Sequence, residues 1–155
     1  MARTPIRKRR LQARRGHTSH FAKVSSLGLP PGSIPELIQH VQTGLPFRAL
    51  ETLASKSGIP AAEIASAMDI PQRTLARRRV AGRFVREESE RLLRLSRIFE
   101  AAVELFDGDV PGAVAWLRTK RPALGNHSPL VYSGTELGAR EVEDLIGQLV
   151  HGVFP

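Results

Sequence analysis

Four arginines within seven residues, Arg73, Arg77, Arg78 and Arg79, are the side chains in this chain best equipped to act on another molecule. Each guanidinium offers a planar fork of N–H donors, which matches the O6/N7 edge of guanine and the oxygens of a phosphate. They lie in the run Asp69-Ile-Pro-Gln-Arg-Thr-Leu-Ala-Arg-Arg-Arg79, directly after Pro60-Ala-Ala-Glu-Ile-Ala-Ser-Ala-Met68. The apolar spacing predicts two short helices joined by a tight turn. Ile64, Ala65 and Met68 share one face of the first, and Ile70, Thr74 and Leu75 close the second against it. Pro71 suits a first helical position, where a missing N–H costs nothing. Gln72, Arg73, Ala76, Arg77 and Val80 are left facing outward, fork-shaped donors beside small apolar groups that fit a thymine methyl. Two short helices with a cationic second member form a helix-turn-helix suited to a DNA major groove.

Within this group Arg73 and Arg77 are four apart and share a face, so they are expected to read base edges, with Gln72 beside them. Arg78, Arg79 and Arg83 are expected to position phosphates. Thr74 fits a phosphate bond or a capping or packing role equally well. The competing reading is a solvated charged face, the ordinary fate of a charge run. The preceding turn and apolar pattern favour DNA, because they place the arginines where a recognition helix faces outward.

The charge distribution agrees. The chain has 155 residues and a net charge of +8. Residues 1–97 carry 19 Lys and Arg against 7 Asp and Glu, whereas residues 98–155 carry 4 against 8. A basic front suits a polyanion and an acidic rear is repelled by one, so DNA is expected on the first part and a protein partner on the second. There are no cysteines, which excludes disulfides, thiol catalysis and cysteine-ligated metal sites. No apolar run approaches a membrane span, and the beginning lacks the apolar segment of a secretory signal, so a cytoplasmic protein is expected. His17, His20, His40, His127 and His151 are scattered without metal-ligand spacing, and no nucleophile triad or phosphate-binding glycine loop stands out. The expectation is a protein without cofactor or catalysis of its own.

The elements that must hold these residues read as all-α. Residues 1–33 form a basic, acid-free stretch ending in Pro30-Pro-Gly-Ser33, which cannot bury enough apolar surface to order itself. It reads either as an arm following a DNA backbone or minor groove, or as a solvated tail. Ile34, Leu37, Ile38 and Val41 then start a helical period ending at Gly44. A second helix runs from about Pro46 to Ser57, with Phe47, Leu50, Leu53 and Ala54 inward. After the helix-turn-helix, a long helix from about Glu87 to Phe106 presents Leu92, Leu95, Ile98, Phe99 and Val103. Arg91 and Arg94 read as intrahelical partners of Glu87, Glu88 and Glu90. Pro111 opens a short helix with Trp116 and Leu117 as core; Arg121 to Gly134 is a loop with one turn near Pro129–Tyr132; Thr135 caps a last helix to about Val150. The tail His151-Gly-Val-Phe-Pro155 either packs back as a clasp or reaches into a partner's pocket.

A succession of short motifs resembles a known family. Arg73-Thr-Leu-Ala-Arg-Arg-Arg79, Glu88-Ser-Glu-Arg-Leu92, Ala113-Val-Ala-Trp-Leu117, Pro122-Ala-Leu-Gly125, Ser128-Pro-Leu130 and Thr135-Glu-Leu-Gly-Ala-Arg-Glu-Val142 together are similar to the Xre/MbcA/ParS antitoxins. The resemblance covers about Pro46 to Phe154. It implies an Xre-like helix-turn-helix over residues 34–97, a toxin-binding domain over 98–155, and a RES-domain toxin that consumes NAD⁺ as partner. It further implies dimerisation, operator autoregulation and no enzymatic activity. Toxin contact is expected at the tail, through His151, Val153, Phe154 and Pro155. The basic arm through Ser33 falls outside the shared pattern. A stand-alone transcription regulator whose rear part only dimerises is the alternative from another class.

Overall fold

The computed structural model describes residues 25–152, and the fold there is all-α, with no strand among them. Helix α1 (Ile34–Thr43) begins at a capping box: Ser33 Oγ accepts from the Glu36 backbone N–H, while Glu36 Oε2 accepts from the Ser33 N–H at 2.6 Å. Of its apolar stripe only Val41 is buried; Ile34 and Ile38 stay exposed. Helix α2 (Phe47–Ser57) buries Phe47, Ala49, Leu50 and Leu53, a spacing that lines one helical face. Gly58 then ends it in the left-handed region, at φ 74°.

Helices α3 (Ala61–Ala67) and α4 (Gln72–Ala81) follow. The long α5 (Arg86–Leu105) buries Leu92, Leu95, Ile98, Phe99 and Ala102 along one stripe. Its rear half packs on α6 (Val110–Arg118) and α8 (Glu136–His151), and it also meets α1 and α2. Between α6 and α8 lie a 3₁₀ turn at Pro122–Leu124 and the single-turn α7 (Pro129–Tyr132). Trp116 and Leu117 are core, as expected. One continuous apolar cluster runs from Leu27 through Leu50, Leu92 and Leu117 to Ile146, so the basic front and acidic rear share a single core spanned by α5.

Outside α4 the structure corrects the sequence reading in two places. Residues 25–29, assigned above to the arm, dock: Ser25–Leu27 form a 3₁₀ turn, Leu27 is buried, and Ser26 donates from both N–H and Oγ to Glu100 Oε1. They are ordered by apolar surface and a carboxylate that the folded α2 and α5 supply, which the local composition does not contain. The arm's basic residues before Ser25 lie outside the described residues. The second correction concerns the acidic start of α5. Only Arg86 and Glu90 form an i,i+4 pair there; Arg91, Arg94 and Glu88 reach other elements.

Candidate nucleic-acid interface

The turn between α3 and α4 is set by three residues. Met68 and Ile70 are buried on either side of Asp69, which takes the left-handed conformation at φ 56° that Asp tolerates better than most residues. Pro71 is the N-cap, one residue earlier than expected, and its carbonyl accepts from the Leu75 N–H at 2.9 Å. Ile64, Ala65, Met68, Ile70 and Leu75 are all buried, so α4 is held by one face and its opposite face is free for a partner.

The far end of α4 is laced to the turn between α1 and α2. Phe47 N–H donates to Gly82 O and Phe84 N–H to Leu45 O, each at 2.9 Å, and the two phenyl rings stack with centroids 5.4 Å apart. Leu45 N–H donates to Ser89 Oγ, which in turn donates to Val85 O. Gly44 sits where a Cβ would lie 2.2 Å from Phe84 O, so this close approach requires glycine. Helix α4 is thus fixed at both ends by packed loops.

Gln72, Arg73, Ala76, Arg77, Arg79, Val80 and Arg83 are exposed, and Thr74 is half-buried. Arg77 Nη2 donates to Thr74 Oγ1 at 3.4 Å, Arg79 lies over the Phe47 ring, and Arg83 Nη1 donates to Thr43 O. These contacts engage a fraction of each guanidinium's donors and steer the side chain without burying it. Arg78 departs from the group. Its Nε donates to Glu88 Oε2 at 2.7 Å, its side chain is 23% exposed, and the carboxylate holds its proton more firmly than usual. It joins α4 to α5, so a carboxylate of the protein itself engages the guanidinium expected to meet a phosphate.

Behind α4, arginines bind partners on other elements that sequence spacing does not indicate, Arg94 and Arg118 between the front and rear of the core. Arg118 makes a two-pronged contact with Glu63 at 2.9 Å, Arg91 donates to Met68 O, and Arg94 donates to Glu136 and Gly134 O. Together with Asp69 these side chains line an open cleft of about 890 Å³ between α3, α5 and the α7–α8 turn. Arg97 and Glu143 pair at 2.8 Å on the adjoining α5–α8 seam. The partners are 23 to 55 residues apart in sequence, which leaves no periodic signal. Gly134 fits against Ala67 O, where a Cβ would approach to 2.6 Å.

On the rear part, Val131, Leu137 and Val150 are exposed. His151 is exposed at the end of α8, before Gly152 at φ 65°; Val153, Phe154 and Pro155 lie outside the described residues. Among the described residues no helix is long and apolar enough to cross a membrane, and no group of three His, Asp or Glu is placed to hold a metal.

Two family models match this layout in order. The antitoxin Xre-like helix-turn-helix domain matches residues 36–97, which hold α3 and α4. The antitoxin Xre/MbcA/ParS C-terminal toxin-binding domain matches residues 101–152. An Antitoxin Xre of Yersinia enterocolitica is 44% identical over 129 residues, covering 83% of this chain and 87% of the relative. An Antitoxin Xre of Photorhabdus laumondii is 33% identical over the same shares of the two chains.

Proposed function

Because the chain belongs to the antitoxin Xre family, we propose that it neutralises a RES-domain toxin and binds the operator of its own operon. One observation carries this reading: a helix-turn-helix of the Xre-like family and a toxin-binding domain follow each other on one chain and share one core. The choice of a RES-domain toxin rests on the ordered motifs from Arg73 to Val142 that resemble the antitoxins of such toxins.

Neutralisation in this proposal is occlusion. The rear domain holds the toxin while His151, Val153, Phe154 and Pro155 enter the pocket that takes NAD⁺, so the antitoxin needs no cofactor and performs no reaction. On DNA, Gln72, Arg73 and Arg77 face base edges, and Arg79 and Arg83 face phosphates, with Thr74 held by Arg77. Two copies on a two-fold operator would repress the operon from the cytoplasm, on the nucleoid when bound.

The test is growth of cells expressing the neighbouring gene with and without this protein, while cellular NAD⁺ is followed. Restored growth and NAD⁺ are expected. Toxicity that this protein does not relieve would overturn the neutraliser and leave a DNA-binding regulator whose rear part only dimerises.

A further inference from the structure

Val80 is the most exposed large apolar side chain among the described residues, at 90%. It stands on α4 three residues after Arg77, four after Ala76 and seven after Arg73, so all four share the helix face opposite buried Leu75. Folding gains little from its isopropyl group, because it and its neighbours on that face are exposed, and a β-branched residue is a poorer helix former than alanine.

The charges around Val80 indicate what covers it. Arg77, Arg79 and Arg83 are all exposed within three residues of it. An apolar protein surface closing over Val80 would have to desolvate these guanidinium groups, at a cost of several kcal/mol for each ion left unpaired. A duplex pairs them with phosphates and guanine edges and still offers an apolar group in the same groove. In the major groove that group is the C5-methyl of thymine.

We propose that Val80 is a specificity-determining residue that reads a thymine methyl, with Ala76 lining the same contact. The helical rise puts Val80 about 4.5 Å along the axis from Arg77. With bases stacked about 3.4 Å apart along a strand, its thymine falls within about two base pairs of the position Arg77 contacts. This rests on the reading of α4 as a DNA-recognition helix.

The experiment selects duplexes from a random library with the full chain and then replaces each thymine of the winning site by deoxyuridine, which removes only the methyl. For the wild type, one position per half-site is expected to bind about fourfold more weakly, the value of one buried methyl-sized group. Val80→Ala is expected to lose most of that difference between the thymine and uracil duplexes, with circular dichroism and sedimentation unchanged. Binding without any response to uracil, or an unchanged response in Val80→Ala, overturns the Val80 assignment and leaves DNA binding standing. A uniform loss on every sequence with an altered oligomeric state means that Val80 meets protein, and overturns it too. Failure to enrich any sequence overturns both this inference and the operator reading beneath it.

Discussion

One carboxylate oxygen, Glu88 Oε2, accepts from Arg78 Nε at 2.7 Å and from the Val85 backbone N–H at 3.1 Å. The second bond satisfies an orphan donor at the start of α5; the first ties α4 to it. Glu88 is only 6% exposed, so neither bond is readily replaced by water. The orientation of α4 therefore depends on the first turn of the helix that spans the whole core.

Glu88→Ala is expected to destabilise the protein by about 1–3 kcal/mol, the cost of leaving hydrogen-bonding groups of this kind without partners. Glu88→Gln keeps an acceptor for the Val85 N–H and is expected to recover part of the loss. Urea denaturation of the three proteins decides it, and an unchanged midpoint for Glu88→Ala would show that the clamp carries no stability.

Arg73→Ala or Arg77→Ala is expected to lower the preference for operator over random DNA by about 1–3 kcal/mol. Arg79→Ala is expected to weaken both alike and to reduce the salt slope by about one unit. Binding titrations at several salt concentrations separate the two behaviours. Equal losses on specific and random DNA for Arg77→Ala would remove it from the base contacts.

What was legible in the sequence was local. Apolar periodicity, Pro71, Gly58 and Gly82 mark α2, α3 and α4, because helix faces and ends depend on residues within a few positions. The outward arginines were legible for the same reason, once Leu75 fixed the inner face. Arg78 was not: on spacing it resembles Arg77, and only the fold brings Glu88 to its Nε. The pairs Arg118–Glu63 and Arg94–Glu136 were likewise hidden, since nothing within one helix announces a partner 42 or 55 residues away. Leu27 falls in the basic stretch that reads as an arm or a solvated tail, because its burial is supplied by other elements.

Acid should weaken the α5–α8 seam through Glu136. Burial pushes its carboxyl up, but the hydrogen bond from Arg140 and the charges of Arg94 and Arg140 outweigh this and hold it below the ordinary range. A carboxyl lowered on folding adds stability that is present above the unfolded-state pKa of about 4.5 and lost as pH falls through the lower folded value. Glu136→Gln is therefore expected to unfold at lower temperature than the wild type at pH 7, with the gap closing as the pH falls below about 4.5. A gap of equal size at pH 7 and pH 3 would assign the effect to shape and not charge.

The continuity of the core makes a prediction that two separable domains would not meet. Leu50 lies in α2, within the helix-turn-helix match, and is fully buried; Trp116, the only tryptophan, lies in α6, within the toxin-binding match. Leu50→Ala removes buried methyl groups from the front and is expected to cost about 2–5 kcal/mol. If α5 makes front and rear one cooperative unit, Trp116 fluorescence, which senses the rear, must shift by the same amount as the far-ultraviolet circular dichroism of the whole chain. A Trp116 transition that stays in place while the helical signal splits into two would show that DNA-binding and toxin-binding parts unfold independently. In that case the Arg118–Glu63 and Arg94–Glu136 bridges would be surface decoration, worth little as exposed pairs usually are.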